Sequence, residues 1–231
     1  MKPYYSKDGI EIYHGDCLEV MAGMEEGSFD AVVTDPPYGI SYNHDPKYQN
    51  KHKESHRSNL DSVARDDIPF DPSPWIGKPF IMWGANFYAS RLPDLCVWLC
   101  WDKVLKNDLN LRIAECEFAA SNCIRRPRVF RALWSGAYRV EERGEYYHPT
   151  QKPVALMKWC ISLPGVPKSG TILDPFMGSG TTLVAAKQLG RKATGIELEE
   201  KYCEIAVKRI EAWESGVPLK QAENGQGGLF A

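Results

Sequence analysis

The chain has 231 residues, 43% hydrophobic and 25% charged, enough for one large domain with a substantial core. No run approaches the roughly 18 apolar residues of a spanning helix, and the opening MKPYYSKDGIEIYHGD has no apolar centre. Neither a membrane segment nor a signal peptide is expected, and the protein is expected in the cytoplasm. A formal charge of -2 gives no global basic signature, so a nucleic-acid partner has to be argued from local charge. The seven cysteines form no CxxC pair and have no histidines at zinc-ligand spacing, so they read as reduced core thiols and no metal is expected.

In chain order, residues 10 to 35 predict a strand (IEIYHG), a short helix (CLEVMAGM) and a buried strand (FDAVVTD). From Ser41 to about Pro74 the sequence is polar, with no sustained period, and reads as a long mobile loop. Two strands follow, PFIMWGA and CVWLCWD, which read as core rather than as stacking platforms, and then the arginine-bearing segment NCIRRPRVFRALWSGAYRV. The last block alternates helix QKPVALMKWCISL, strand TILD, glycine turn PFMGSGTT, helix LVAAKQLG, strand KATGIEL and helix EEKYCEIAVKRIEAW. Tyr202, Ile205, Ala206, Ile210 and Trp213 form the apolar stripe of that last helix. Strands alternating with helices predict an α/β fold with a doubly wound, mostly parallel sheet, in which ligands collect beyond the carboxyl ends of strands. Both DPPY and DPFMGSG stand at such ends. Residues 215–231 are expected to be a flexible tail without a role.

In TILDPFMGSGTTLVAAKQLG a buried strand stops at Asp174, the chain turns through Gly178 and Gly180, and a helix begins near Thr181. Glycines let backbone pass close to a ligand, and free N–H groups at a helix start favour polar or anionic groups. Glu197 ends the next strand, placed to accept from both hydroxyls of a ribose. No lysine follows Gly180, which excludes a P-loop nucleotide; Leu183 stands where a dinucleotide site wants glycine or alanine. S-adenosylmethionine, which has no phosphate, fits best.

The corner TDPPYGI is stiff, because an Asp before Pro and a Pro before Pro are both held out of helical dihedrals. By itself it could be a solvated proline turn. A ligand turn at a second strand end suggests chemistry. An exocyclic amine of a nucleobase is a poor nucleophile; acceptors on its two N–H bonds would steer its lone pair toward a methyl donor. The Asp35 carboxylate and the Pro36 carbonyl can supply them, and no strong base is needed because the nitrogen becomes acidic once methylated. A base drawn out of a duplex also needs an aromatic face, which Tyr38 offers.

With DPPYG, DPFMGSGTT, GIEL and HPTQKP all present, the sequence resembles the DNA amino-methyltransferases, which make N6-methyladenine or N4-methylcytosine. DPPY precedes FMGSG, as in the permuted beta group, and YHGDCLEVM is similar to that group's opening motif; the resemblance spans the chain apart from polar loop and tail. It implies a seven-stranded Rossmann-like sheet with a small inserted target-recognition region. Residues 1–40 and 148–214 would form the catalytic core, and 41–147 the remaining strands, loop and recognition region. Phe176, Gly178, Ser179 and Gly180, flanked by Asp174 and Thr181, would form the cofactor turn. Glu197 would take the ribose, and Asp16 with Cys17 would lie near the cofactor's adenine. Thr150, Gln151 and Lys152 would sit by the methionine end beside Asp35. His148 reads as a structural histidine.

In this family DPPY leans toward adenine and SPPY toward N4 of cytosine, so adenine N6 is expected, with N4-cytosine methylation and a catalytically silent DNA-binding module as alternatives. Cytosine C5 chemistry needs a nucleophilic cysteine, usually after a proline, and none of the 16 prolines precedes Cys. Related protein-glutamine and RNA enzymes carry Asn where Asp35 stands. The expected partner is double-stranded DNA, in a restriction–modification setting of a bacterial or phage-infected cell, with monomer or homodimer left open. From Phe118 to Val140 there are five arginines and no acid, with aromatics among them. Arg125, Arg126, Arg128 and Arg131 are therefore expected to bind DNA, with Lys51 and Lys53 of the polar loop as a second patch.

Overall fold

Two central strands are buried at every position, Ala31–Thr34 (β3) and Phe80–Trp83 (β4), as strands covered on both faces require. The computed structural model describes residues 2–41, 63–104, 114–135, 138–139, 142 and 147–216. Lys51, Lys53 and the tail beyond residue 216 lie outside the described residues.

The chain starts with a hairpin of β1 (Tyr5–Lys7) and β2 (Ile10–His14). Its two turn residues, Asp8 (φ 49°) and Gly9 (φ 79°), are both left-handed, the pair a tight hairpin turn uses. Helix α1 (Cys17–Ala22) and β3 follow, then β4, β5 (Val97–Asp102), β6 (Cys116–Ser121), β7 (Arg128–Arg131) and a small separate ribbon of β8 (Trp134–Ser135) with β9 (Tyr138–Arg139). The last third runs α2 (Val154–Ile161), β10 (Ile172–Asp174), α3 (Thr181–Gln188), β11 (Ala193–Glu197) and α4 (Glu200–Ser215).

The strands join in the order β1-β2-β11-β10-β3-β4-β6-β5-β7. Seven of them run in one direction; β1 and β6 run against their neighbours. The α/β, doubly wound expectation holds, but the main sheet has nine described strands rather than seven. The additions are the short hairpin strand β1 at one edge and β7, from the arginine segment, at the other.

Alternation along the strands sorts the core onto two faces. Ala31, Val33, Ile81 and Trp83 face α2, α3 and α4, while Val32, Phe80 and Met82 face α1 and the segment around Phe70 and Trp75. Residues 63–74 depart from the mobile-loop reading, because Asp66, Phe70 and Pro72 are buried there, while residues 42–62 of that loop lie outside the described residues. Phe70 and Trp75 are buried, each edge-on to Phe176. On α4 the buried stripe includes Tyr202, Ala206 and Ile210 as expected, but Trp213 is half exposed and Arg209 is buried. No helix of the described residues is long and apolar enough to cross a membrane.

Candidate active site

The parallel strands end together at His14, Thr34, Trp83, Asp174 and Glu197. Beyond them opens a cavity of about 610 Å³. It is where the sequence-predicted site residues meet: Asp16, Cys17, Asp35, Pro36, Tyr38, Thr150, Gln151, Lys152, Phe176, Gly178 and Glu197 all line it. Asp174, Ser179, Gly180 and Thr181 do not.

One end is built around Glu197. Its carboxylate accepts from the N–H of Gly178 (3.0 Å) and of Glu199 (2.8 Å), one oxygen each, so its orientation is set by backbone. Burial pushes its pKa up to about 6 in spite of these bonds. Gly178 has φ 51°, and a Cβ there would stand 3.3 Å from the His148 ring, so glycine keeps this wall close. Asp16 caps α1, accepting from the N–H groups of Leu18 (2.9 Å) and Glu19 (3.2 Å), while its other oxygen meets the Arg65 guanidinium at 2.5 Å.

His148 lies on the Tyr202 ring (centroids 4.5 Å apart), and its Nδ1 is 3.3 Å from the Thr150 N–H. Burial, with Lys152 nearby, lowers its pKa to about 3, so it is neutral and structural in placement.

The four expected cofactor residues that miss the cavity form the frame behind the turn. Asp174 is buried and accepts from the Thr34 hydroxyl (2.6 Å) and the Phe176 N–H (3.2 Å); burial raises its pKa to about 6. The Gly180 N–H closes the turn onto the Met177 carbonyl (2.8 Å), and a Cβ on Gly180 would come 2.6 Å from that of Ala206, so glycine lets α4 approach. Arg209 donates to the Ser179 carbonyl (2.8 Å) and hydroxyl (3.1 Å) and to the Thr181 hydroxyl (3.2 Å). Ser179 and Thr181 are thus engaged from behind.

At the other end, Asp35 accepts from the Tyr38 hydroxyl through Oδ1 (2.5 Å) and from the Lys152 ammonium through Oδ2 (2.5 Å). Lys152 also donates to the Tyr38 oxygen (2.9 Å) and lies 3.1 Å from Glu117 Oε2, while Glu117 Oε1 pairs with Lys103. Two carboxylates and two ammonium groups therefore alternate in the order Asp35, Lys152, Glu117, Lys103. Burial raises the Asp35 pKa against the pull of Lys152; burial acts the same way on Glu117, but Lys152 and Lys103 together bring it below the usual value. Burial alone would lower the Lys152 pKa, and the two carboxylates raise it. Lys152 was expected by the methionine end beside Asp35, and its ammonium is engaged by Asp35, Tyr38 and Glu117.

The corner itself is clamped from a distance. The N–H groups of Tyr38 (2.9 Å), Gly39 (2.9 Å) and Ile40 (3.5 Å) converge on Asp66 Oδ1. Consecutive N–H groups around a left-handed residue, here Gly39 with φ 75°, form a concave anion site, and a side chain fills it. The Tyr38 ring is stacked on Phe87 (centroids 5.0 Å, 19°) and packs against Gly84, where a Cβ would lie 2.0 Å from a ring carbon.

Sequence reasoning did not single out Asp66, Gly84, Phe87, Lys103, Glu117 or Arg209. Asp66 stands in the segment read as loop, and Glu117 and Arg209 become conspicuous only through partners distant in sequence.

The arginine patch divides. Arg125, Arg126, Arg128 and Arg131 are all exposed. Arg131 pairs with Asp102 (3.5 Å), at the cavity end of the sheet. Arg125 and Arg126 follow the C-terminus of β6, which runs antiparallel, and so sit toward the opposite end of the sheet. The structure therefore does not bring the four together at one surface, as expected from their spacing.

Comparison with known proteins bears on this arrangement. A family model described as DNA methylase matches residues 101–208. The type II methyltransferase M.ScaI of Streptomyces caespitosus is 30% identical over 91% of this chain and 84% of its own length. The type II methyltransferase M2.DpnII of Streptococcus pneumoniae is 28% identical over 91% of this chain and 93% of its own. Among solved structures, the cytosine-N4-specific PvuII DNA methyltransferase aligns over 97% of this chain and 93% of its own with a TM-score of 0.62 at 15% identity. The M1.HpyAVI–SAM complex aligns over 87% and 98% with a TM-score of 0.52 at 24% identity. These two likenesses speak for the fold.

Proposed function

Because the chain belongs to the DNA amino-methyltransferase family, as its likeness to M.ScaI over most of both chains shows, we propose that it methylates N6 of adenine within a specific DNA sequence, with S-adenosylmethionine as donor. The observation that carries this reading is that one cavity joins the Glu197 carboxylate at one strand end to the Asp35 carboxylate at another.

The residues present fit that donor. Glu197 keeps lone pairs for two ribose hydroxyls beyond the two backbone bonds that orient it, and the walls at Gly178 and Phe176 leave room for a nucleoside. Asp16 and Cys17 line the same end, where an adenine ring would rest. When bound, S-adenosylmethionine supplies a methyl group on a positively charged sulfur. The chain's own part is to hold the acceptor. Asp35 and the Pro36 carbonyl accept the two N–H bonds of the exocyclic amine, which leaves its lone pair free to point toward the methyl. The nitrogen is cationic and acidic when methylated, and its proton passes to the Asp35 carboxylate and from there to water. His148, neutral and packed on Tyr202, is not needed for that proton.

The amine joins a carboxylate that already accepts one bond at each oxygen, from Tyr38 and from Lys152. DNA would reach the cavity from the Arg131 side, and not over Arg125 and Arg126. Asp at position 35, rather than Ser, favours adenine over the N4-cytosine alternative within the family. Nucleoside mass spectrometry of DNA incubated with enzyme and cofactor tests the assignment: N6-methyladenine is expected, and N4-methylcytosine alone would sink it.

A further inference from the structure

As it stands, Lys152 competes with the reaction for the charge of Asp35. Its ammonium holds Asp35 Oδ2 at 2.5 Å, the carboxylate an incoming amine must engage, and the Tyr38 hydroxyl at 2.9 Å, at the rim of the ring offered to the base. It is also 6% exposed, so water cannot receive it on release. An ammonium this buried needs a second partner of opposite charge, or it loses its proton. Such a partner is 3.1 Å away: Glu117 Oε2, from the antiparallel strand β6, on the cavity wall. That oxygen makes no hydrogen bond of good geometry in this structure, although it lies within ion-pair distance of Lys152. Its twin, Oε1, is held by Lys103, which fixes the carboxylate in place.

We propose that Glu117 is a positioning residue for methyl transfer: it receives the Lys152 ammonium when the target amine engages Asp35, so that the charge of Asp35 acts on the amine while Lys152 stays charged and paired. This rests on the methyltransferase reading of the cavity, and holds for either target base.

Two electrostatic consequences follow. With Lys152 on Asp35, the carboxylate's charge is cancelled at the point where the nitrogen becomes cationic; with Lys152 on Glu117, Asp35 regains its attraction for that nitrogen. The displacement also needs no net change in buried charge, since two carboxylates and two ammonium groups are present before and after. Lys152 and Lys103 together hold the Glu117 carboxyl below its usual range against its burial.

The test compares the wild type with Glu117→Gln and Glu117→Asp. Single-turnover transfer of a labelled methyl group to DNA is measured whichever base receives it, with cofactor affinity by calorimetry and folding by thermal melt. We expect Glu117→Gln to slow transfer about tenfold or more while cofactor affinity stays within about twofold, and Glu117→Asp to recover part of the rate. A rate within about threefold of wild type in Glu117→Gln, or equal loss of rate and cofactor affinity, overturns the proposal. Should Glu117→Gln fold poorly, the same split is read on Glu117→Leu, which also lacks the carboxylate. Base identity by mass spectrometry is a separate readout: methylcytosine would end the adenine assignment and leave the role of Glu117 standing.

Discussion

Lys152 donates to Asp35 at 2.5 Å, although 117 positions separate the two residues in the chain. This bond joins the HPTQKP segment to the DPPY corner. It also favours the ionised form of Asp35, against burial, which raises the carboxyl. Lys152→Met removes the cation, which shifts the buried Asp35 further toward its protonated form and leaves it without the charge that attracts the amine. Methyl transfer should fall about a hundredfold or more, and stability by about 3–5 kcal/mol, the cost of breaking a buried pair. Rate and thermal melt measured together check this; a variant that keeps near-wild-type transfer would show that the charge on Asp35 does not matter.

Much of this site was legible because its chemistry lies at strand ends marked by glycine and proline. DPPYG and DPFMGSG announce stiff or close-approach backbone, and Glu197 follows at a fixed distance along a β-α-β unit. What escaped is what depends on pairing across the sheet. Glu117 faces the cavity because β6 runs antiparallel between β4 and β5, and no local pattern reveals that direction. The β1–β2 hairpin was within reach: SKDGIE carries the Asp-Gly turn signal, and only the shortness of Tyr5–Lys7 hid the strand before it. The arginines misled for the same reason that Glu117 was missed. Closeness in sequence placed them in one patch, and a reversed strand carries Arg125 and Arg126 to the far end.

The clamp at Asp66 should be visible in both stability and rate. Asp66→Ala leaves the N–H groups of Tyr38 and Gly39 without their acceptor in a half-buried corner, a cost of about 1–3 kcal/mol. Transfer should fall further than cofactor affinity, because Glu197 and Gly178 lie at the other end of the cavity. Asp66→Asn, which keeps a carbonyl oxygen for the same N–H groups, should retain more activity than the alanine variant. Equal losses in the two variants would count against the clamp.

Cofactor binding should depend on pH near 6. The Glu197 pKa is raised from 4.5 to about 6, so the folded protein binds this proton more tightly than the unfolded chain does. Protonation as pH falls through 6 therefore favours the empty fold, whose stability contribution from this group is lost again as pH rises from about 4.5 through 6. The same protonation removes a charged acceptor from the ribose hydroxyls, so affinity should weaken about tenfold between pH 7.5 and pH 5. Calorimetry across that range should show the fall, and Glu197→Gln should flatten it at a weaker affinity. A flat wild-type profile would mean that Glu197 does not meet the cofactor as a carboxylate.

Asp174 separates a framing role from direct cofactor contact. Its carboxyl is buried behind the turn and raised from 3.8 to about 6, so its ionised form disfavours the fold, fully above pH 6 and not at all below about 3.8. Asp174→Asn removes that charge and keeps an oxygen for Thr34 and for the Phe176 N–H. Its melting temperature at pH 8 should be at or above wild type, with the advantage shrinking as pH falls through 6. Cofactor affinity should stay within about threefold; a larger loss would place Asp174 in the cofactor site itself.

Gly84 keeps Tyr38 in register with Asp35. It has φ 72°, and a Cβ would stand 2.0 to 2.5 Å from three atoms of the Tyr38 ring. The ring cannot retreat, because its hydroxyl is bonded to Asp35 and its face is stacked on Phe87. Gly84→Ala must therefore push the ring off Asp35 or bend the turn after β4, at about 1–3 kcal/mol for overpacking. Transfer should drop about tenfold or more with cofactor affinity little changed, since Gly84 lies outside the Glu197 end. Adding Tyr38→Ala to Gly84→Ala separates the two sources of strain. The clash is then gone, and the remaining penalty should be that of a left-handed alanine, about 1 kcal/mol. If the double variant is destabilised by the full sum of the two single changes, the ring and the glycine are not coupled, and Tyr38 is held by other contacts.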